Sequence, residues 1–330
     1  MPYVIGLDLG GTKTAAGVVD GEGGVVLSRT VPTPARDGAG AVLAAAAELV
    51  RALQEDAARR GLPVVALGIG SAGVIDSGRG VVVSATDAIP GWAGTRLTAE
   101  LTARTGLPAV ALNDVHAHAV GESWLGTGAG MPGVLFVGMG TGVGGGYVLQ
   151  GKCLEGSTFT AGHVGHFASP FAWEAGVPLP CSCGGAGHVE AIASGPAIFG
   201  LYSRLRGASA GATADGAATD GPVDTRGVYR LAADGDPAAA EAIRRGAVAA
   251  GSAIGGLANI LDPAVVVVGG GLAFAGPLWW TPMEAAARAE LLRPLAGLPI
   301  VPAQLGETAA IRGAARRALA LLPVPEGSHA

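Results

Sequence analysis

YVIGLDLGGTK (residues 3–13) and GVLFVGMGTGVGGG (residues 133–146) follow one plan at two places in the chain. Each begins with a short apolar run, which predicts a buried strand, and continues into a glycine loop and a second hairpin strand. After the first of them, helices predicted over residues 38–60 and 97–105 alternate with strands. This order of elements favours an α/β protein, and the repetition predicts a duplicated domain plan.

Three glycine loops follow predicted strands, at residues 8–13, 140–146 and 269–271. Glycine lacks Cβ, so backbone N–H groups can approach a phosphate closely, and threonine hydroxyls can add hydrogen bonds. Asp8 could hold Mg²⁺ through water, because Mg²⁺ keeps much of its hydration. Tight hairpins also use glycine, which is the alternative explanation. Two loops at equivalent places favour a nucleotide held between two lobes. The candidate phosphate-binding residues are Asp8, Gly10, Gly11, Thr12, Lys13, Thr141, Gly142, Gly144, Gly145, Gly270 and Gly271.

The densest group of reactive side chains lies in AGHVGHFASPFAWEAGVPLPCSCGGAGHVE (residues 161–190). Four Cys and His ligands are typical of a closed, tetrahedral structural Zn²⁺ site. Cys-x-Cys is not the commonest zinc spacing, so an incidental pair of thiols in a Gly-rich loop is the alternative. A redox role is disfavoured because the spacing is not Cys-x-x-Cys. The candidate ligands are His166, Cys181, Cys183 and His188. His163 and Glu190 lie in the same stretch, are not needed as zinc ligands, and are therefore free to contact another group.

Asn113 and Asp114 end one predicted strand and precede a helix predicted over residues 115–124. A carboxylate at a strand end beside a cleft is well placed to act as a general base. The alternative is that Asp114 only caps the helix. His116 and His118 are expected on the helix surface or in packing, and no chemistry is assigned to them.

Composition excludes several classes of protein. With 330 residues the chain has room for two domains, and a charged fraction of 14% argues against disorder. A net charge of −5 provides no basic surface for nucleic acid, and three cysteines fit a reducing compartment. The first predicted strand begins almost at Met1, which leaves no room for a signal peptide, and no apolar run fits a membrane span. We expect a cytoplasmic protein that binds neither nucleic acid nor a membrane.

Taken together, these motifs resemble the ROK family of sugar kinases and related repressors. The matching motifs are DLGGTK at residues 8–13, Asn113-Asp114 with Gly121-Glu122, residues 140–146, residues 161–166 with 181–190, residues 265–271 and residues 310–315. The resemblance spans nearly the whole chain. It implies the actin-like, ribonuclease H-like ATPase fold, in which two lobes flank a cleft and close over sugar and ATP. We expect a small α/β lobe at residues 1–117, completed by a C-terminal helix at about 306–322, and a large α/β lobe at 118–305 that carries the zinc loop. A surface insertion at residues 207–225 and a frayed tail at 323–330 are also expected.

The resemblance further implies roles for individual residues. Asp114 is the base that takes the proton from a sugar hydroxyl, usually at carbon 6. Asn113, His166 and Glu190 hold sugar hydroxyls, His166 also binds zinc, and residues near Gly73 and at 84–92 approach the sugar. ATP, Mg²⁺ and structural Zn²⁺ are the implied cofactors, and a homo-oligomer, either a dimer or a tetramer, is expected.

Two positions depart from the family pattern. His188 stands where the family has a third zinc cysteine, which still allows a Cys₂His₂ site. His163 stands where the family usually has Glu, and a neutral His offers one hydrogen-bond donor and one acceptor in place of a carboxylate. In this form the loop looks most like that of bacterial N-acetylmannosamine kinases, which makes N-acetylmannosamine the first choice of sugar. Glucokinases and N-acetylglucosamine kinases are close competitors, and His163 packing against the zinc loop is the alternative role.

Two other classes of function compete with a kinase. A repressor of the same family needs a winged-helix segment ahead of the first glycine motif, and seven residues precede Asp8. A sugar sensor without catalysis is disfavoured by the presence of Asp114 and of both phosphate loops.

Overall fold

The computed structural model describes residues 2–210 and 224–322. The strands are β1 (Tyr3–Leu9), β2 (Lys13–Val19), β3 (Val25–Pro32), β4 (Val64–Ser71), β5 (Val74–Asp76), β6 (Val81–Ser84), β7 (Ala109–Asn113), β8 (Gly133–Met139), β9 (Val143–Leu149), β10 (Lys152–Cys153), β11 (Trp173–Glu174), β12 (Val177–Pro178), β13 (Val265–Gly269) and β14 (Ile300–Pro302). The helices are α1 (Gly38–Arg59), α2 (Leu97–Thr105), α3 (Asp114–Leu125), α4 (Glu190–Ala193), α5 (Gly195–Ala210), α6 (Thr225–Ala233), α7 (Pro237–Leu261), α8 (Pro277–Glu290) and α9 (Ala309–Leu319). Short 3₁₀ turns span Ala35–Asp37, Gly271–Phe274, Arg293–Leu295 and Gly306–Thr308.

Two five-stranded sheets repeat one arrangement. The first has the order β3-β2-β1-β4-β7, in which β1 is antiparallel to β2 and parallel to β4, and β4 is parallel to β7. The second has the order β10-β9-β8-β13-β14, in which β9 and β10 are antiparallel and β8, β13 and β14 are parallel. Each sheet therefore joins antiparallel hairpin strands to parallel strands. The predicted duplicated α/β plan is confirmed.

Helix α9 fixes the position of α3, because the two backbones touch where both helices carry small residues. A Cβ added to Gly313 would lie 1.8 Å from the carbonyl oxygen of Ala117. A Cβ added to Gly121 would lie 2.1 Å from the carbonyl oxygen of Ala309. Side chains at these positions would force the helices apart, so glycine is what allows this close contact.

The described residues form two compact units. Unit 1 comprises residues 2–132, 146–162 and 304–322, and unit 2 comprises residues 133–145, 163–210 and 224–303. In unit 1, a large core cluster includes Leu7, Leu53, Leu67 and Trp92, all fully buried. The predicted lobe boundary after residue 117 falls inside α3, which lies wholly in unit 1.

The predicted insertion at residues 207–225 lies largely outside the described residues, and the predicted tail at 323–330 lies entirely outside them. Across the described ranges, no helix is both long enough and apolar enough to cross a membrane.

Candidate active site

The corner between β7 and α3, in unit 1, holds Asn113 and Asp114. Asn113 caps the helix: its Oδ1 accepts hydrogen bonds from the backbone N–H groups of Val115 (2.9 Å) and His116 (3.2 Å). Its Nδ2 donates to the carbonyl oxygen of Gly73 (2.9 Å) and to Asp114 Oδ1 (3.0 Å). The helix-capping alternative for Asp114 is therefore wrong. The reason is that β7 continues through Asn113 and the helix begins one residue earlier than predicted.

Asp114 occupies the first turn of α3, where the helix dipole favours a negative charge. Its Oδ1 also accepts a hydrogen bond from the N–H of Val115 (2.9 Å). Asn113 is 7% exposed, whereas Asp114 is half-buried. A carboxylate is thus held in one orientation by a buried neighbour and remains accessible to a substrate.

The first glycine loop, residues 8–13, turns between β1 and β2. The N–H of Gly10 donates to the carbonyl oxygen of Lys13 (3.1 Å). Thr33 holds the loop from outside, since its hydroxyl donates to the carbonyl oxygen of Gly10 (2.8 Å) and its N–H to that of Thr12 (3.0 Å). Gly11, Thr12 and Lys13 are exposed, so a fixed loop presents its tip to solvent.

Asp8 is a half-buried residue of β1 between the fully buried Leu7 and Leu9, and the charge of Asp114 acts on its carboxyl group. Burial raises the pKa of Asp8 to about 6; the charge of His118 opposes this shift and the Asp114 carboxylate adds to it. His118 is four residues after Asp114 on α3, a spacing that places both on one face of the helix. His118 was assigned no chemistry from the sequence. Its spacing from Asp114 is the signal that could have placed it in the candidate site.

Lys13 forms an ion pair with Glu307, a residue that lies outside the glycine motifs and that no sequence pattern pointed to. The Nζ–Oε1 distance is 2.5 Å, and the hydrogen bond from Lys13 lowers the pKa of Glu307. Both side chains are exposed. Exposed ion pairs contribute little free energy, so Lys13 can exchange this partner for an anion.

The second glycine motif, residues 140–146, links β8 to β9 and continues into the first residues of β9, and all of it except Gly146 belongs to unit 2. The N–H of Gly140 donates to the carbonyl oxygen of Gly142 (3.0 Å), and the N–H of Gly195 donates to the carbonyl oxygen of Gly140 (2.8 Å). Gly270 approaches the same segment, since a Cβ there would lie 2.3 Å from the carbonyl oxygen of Met139. The predicted loops at residues 140–146 and 269–271 therefore meet within unit 2.

Glu190, the first residue of α4, connects this loop to the cysteine-containing segment. Its Oε2 accepts a hydrogen bond from the N–H of Val143 (2.8 Å), and its Oε1 accepts one from the hydroxyl of Ser182. Cys181 Sγ lies 3.9 Å from the same Oε1. Ser182, the residue between the two cysteines, was not identified from the sequence.

The four predicted zinc ligands come together in unit 2. One ligand atom from each of His166, Cys181, Cys183 and His188 lies within 4.8 Å of the others. The Cys181 Sγ–His166 Nδ1 distance is 3.5 Å, and the Cys183 Sγ–His188 Nδ1 distance is 3.3 Å. Tetrahedral Zn²⁺ with ligands at about 2.0–2.3 Å requires ligand atoms roughly 3.3–3.8 Å apart. Burial raises the pKa of the Cys181 thiol, and a bound cation would favour its thiolate. The residues present fit such an ion.

His163 lies beside this cluster, with its ring 6.4 Å from that of His166 between centroids. The carbonyl oxygen of His163 accepts a hydrogen bond from the N–H of His166 (3.1 Å). Gly165 permits this turn to pack against β9, because a Cβ there would lie 2.2 Å from the carbonyl oxygen of Val143. His163 is half-buried and is thus partly accessible.

Glu122, part of the Gly121-Glu122 motif, is fully buried in unit 1. Its carboxylate accepts hydrogen bonds from the N–H groups of Thr127 (3.1 Å), Gln304 (3.0 Å) and Leu305 (2.7 Å). It ties α3 to the segment that leads to Glu307 and α9, so its role is structural.

The chain is similar to known proteins over almost its whole length. A profile of the family described as "ROK family" matches residues 4–320. A glucokinase of Streptomyces coelicolor is 35% identical over 326 residues, which cover 96% of this chain and 97% of that protein. An N-acetylmannosamine kinase of Escherichia fergusonii is 33% identical over 272 residues, which cover 82% of this chain and 84% of that protein. The crystal structure of a ROK family glucokinase from Streptomyces griseus in complex with glucose and AMPPNP is 33% identical, covers 96% of this chain and 99% of that chain, and has a TM-score of 0.79.

Proposed function

The chain belongs to the ROK family, and from this premise we propose that it transfers the terminal phosphoryl group of ATP to the 6-hydroxyl of a hexose or an N-acetylhexosamine. Relatives and a structural neighbour at 33–35% identity are named as sugar kinases, and that neighbour was crystallised with glucose and AMPPNP. A non-catalytic sugar sensor is the less supported alternative.

The observation that carries this proposal is the Asn113–Asp114 corner. Asn113 and the N–H of Val115 both donate to Asp114 Oδ1. We assign proton transfer to the other oxygen, Oδ2, which takes the proton of the attacking sugar hydroxyl. Phosphoryl transfer depends mainly on positioning and charge neutralisation, so a fixed carboxylate suits the role of base.

The glycine loops are proposed to bind the phosphates of ATP. In unit 1, the exposed tip at Gly11 and Thr12 offers backbone N–H groups, and Lys13 offers a positive charge. In unit 2, the exposed Gly142, with Gly270 and Gly271, leaves backbone that no side chain of its own covers, and the exposed Thr141 offers a hydroxyl. Mg²⁺, held through water near Asp8, would neutralise phosphate charge.

A structural Zn²⁺ is proposed for His166, Cys181, Cys183 and His188, because the donor set and its spacing fit a tetrahedral ion. Zn²⁺ there would hold the loop rather than take part in the reaction. His166 and Glu190, together with His163, would then be available to hydrogen-bond sugar hydroxyls. His163, which stands where the family usually has Glu, favours N-acetylmannosamine over glucose and N-acetylglucosamine in our proposal.

A coupled assay of ATP consumption over hexoses and N-acetylhexosamines tests the proposal. We expect turnover with at least one of these sugars, with the highest kcat/KM for N-acetylmannosamine. A higher kcat/KM for glucose would show that glucose, and not N-acetylmannosamine, is the preferred sugar. The proposed kinase activity would stand. Sugar binding with no ATP consumption across the whole panel would instead favour the sensor.

A further inference from the structure

His116 is a buried polar residue of α3 to which the sequence assigned no chemistry. Its side chain is 3% exposed, and its Nε2 lies 2.7 Å from the carbonyl oxygen of Ala161. A carbonyl oxygen can only accept a hydrogen bond, so Nε2 carries a hydrogen and is the donor. His116 comes two residues after Asp114, and two residues along a helix are about 200° apart around its axis. The two side chains therefore leave α3 on different sides, and His116 reaches another segment.

Ala161, the residue that His116 contacts, is held from two directions. In addition to the bond from His116, its own N–H donates to the carbonyl oxygen of Glu155 (3.2 Å). The Glu155 carboxylate in turn accepts hydrogen bonds from Arg317 of α9 (3.1 Å) and from the hydroxyl of Ser77. All of these residues belong to unit 1. Ala161 is therefore a fixed point of unit 1, and His116 joins that point to α3.

This fixed point lies just ahead of the segment that we propose contacts the sugar. Gly162, with φ +89°, is the residue between Ala161 and His163, and unit 2 resumes at His163. Consecutive Cα atoms are about 3.8 Å apart, so the Cα of His163 lies at most about 7.6 Å from that of Ala161. His163 continues into a turn, because its carbonyl oxygen accepts a hydrogen bond from the N–H of His166 (3.1 Å). The place where Ala161 is held therefore limits where His163 and His166 can lie.

We infer that His116 is a positioning residue for the sugar: its hydrogen bond fixes the start of the turn at residues 161–166 before the sugar binds. This inference rests on the proposed function, because it takes the sugar contacts of His163 and His166 from it. Ordering a segment on binding costs free energy, and the cost is smaller when the segment is already ordered. His116 therefore acts on the affinity for sugar and leaves the chemical step to Asp114.

The test compares substitutions of His116 by calorimetry with glucose and N-acetylmannosamine and by steady-state kinetics. His116→Leu removes the donor, and His116→Asn keeps an amide that ends one bond short of the position of Nε2. Both should weaken sugar binding and raise the KM for sugar by about 2- to 12-fold, the equivalent of the net free energy of one hydrogen bond. The value of kcat should stay within about twofold of the wild type, since the bound sugar orders the turn in every variant. His116→Gln, whose amide N–H reaches the position of Nε2, should restore sugar affinity.

Val120→Ala is the matched control for packing of α3. Val120 is 5% exposed on the same helix, and replacing it removes apolar contacts without leaving a carbonyl oxygen unpaired. This change should lower the melting temperature and leave sugar affinity unchanged. Hydrogen exchange at residues 162–166 should be faster in His116→Asn than in His116→Gln or Val120→Ala. If His116→Leu does not fold, the comparison of His116→Asn with His116→Gln decides.

Wild-type sugar affinity in His116→Asn would overturn the inference. An equal loss of affinity in His116→Gln or Val120→Ala would also overturn it, because the effect would then come from general loosening of α3. So would a lower kcat with an unchanged KM, because His116 would then act on the chemical step. No sugar binding by the wild type would overturn it together with the proposed function. If sugar binding depends on His116 and no ATP is consumed, the proposed kinase fails while this inference stands.

Discussion

The Asn113–Asp114 corner and the loop at residues 161–190 are held in place by different means. The corner lies between a strand and a 12-residue helix, and α3 packs backbone to backbone against α9. The loop has two-residue strands, β11 and β12, and isolated bridges such as Ala168–His188. Cys183 is exposed, and Trp173 is 49% exposed. The corner therefore keeps its geometry through packing, whereas we propose that the loop keeps its geometry through a metal ion bound by its four clustered Cys and His side chains. Replacing the Asp114 side chain should therefore lower activity without loosening the corner. Removing the proposed Zn²⁺ should loosen the loop and leave the corner unchanged.

The largest effect is expected from Asp114→Asn. This change keeps the size of the side chain and removes the base, so kcat should fall by about 10²–10⁴-fold, the usual range for general base catalysis. Packing around α3 should be unaffected, so the melting temperature should change little. Asp37→Asn is the matched control, since Asp37 is exposed and makes no side-chain capping bond. Steady-state kinetics that gave near-normal turnover for Asp114→Asn would refute the assignment.

Metal removal should affect the loop and spare the corner. Purified protein should contain about one Zn²⁺ per chain. Chelation, or the double change Cys181→Ser with Cys183→Ser, should increase hydrogen exchange across residues 161–190 and lower activity by at least about tenfold. Exchange at residues 109–125 should be unchanged. A metal-free protein with full activity would contradict this part of the account.

Asp8 shows a cost of packing in unit 1, because the same burial that orders this unit disfavours the charged form of the Asp8 carboxyl group. The pKa of Asp8 is raised from 3.8 to about 6 by burial. Between these values the folded chain keeps a proton that the unfolded chain releases, so stability falls as pH rises from about 4 to 6. Above pH 6 the cost reaches at most about 3 kcal/mol.

Asp8→Asn removes this cost, so without Mg²⁺ it should unfold at a higher urea concentration than the wild type at pH 7.5. The two proteins should have similar stability at pH 4. Activity should fall, because Asp8 is proposed to hold the hydrated Mg²⁺. Lower stability of Asp8→Asn at pH 7.5 would show that the charge of Asp8 is stabilised by neighbours rather than penalised by burial.

The smallest effect is expected from His163→Glu, which changes one polar contact beside the zinc loop. One hydrogen bond is worth about 0.5–1.5 kcal/mol, so the kcat/KM ratio of glucose to N-acetylmannosamine should rise by roughly 2- to 12-fold. Identical ratios in the two proteins would show that His163 packs against the loop and does not contact the sugar.

The sequence was most informative where local chemistry determines structure. Asp followed by Pro is a typical start of a helix, and α7 begins in this way: Asp236 accepts hydrogen bonds from the N–H groups of Ala238 and Ala239, and Pro237 is the first helical residue. The four predicted zinc ligands do cluster, and they were chosen because Cys and His residue types are informative by themselves; that they bind zinc stays a proposal. Helix α8 was missed: it contains Pro282, which normally argues against a helix interior.

Contacts between distant residues could not be predicted. Glu190 and Val143 are 47 residues apart, and no local pattern indicates that they hydrogen-bond. The pairing of Lys13 with Glu307 spans 294 residues. The role of Asn113 as helix cap depends on α3 beginning at Asp114, one residue earlier than predicted, and a difference of one residue is finer than apolar periodicity can resolve.

The central claim is that this chain phosphorylates a sugar at its 6-hydroxyl. The most direct measurement compares ATP consumption with the best sugar of the panel and with its 6-deoxy analogue, using ³¹P NMR to locate the phosphate. We predict turnover and a 6-phosphate with the parent sugar, and no ATP consumption above background with the analogue. Equal consumption with both compounds, or a phosphate on another carbon, would contradict the account.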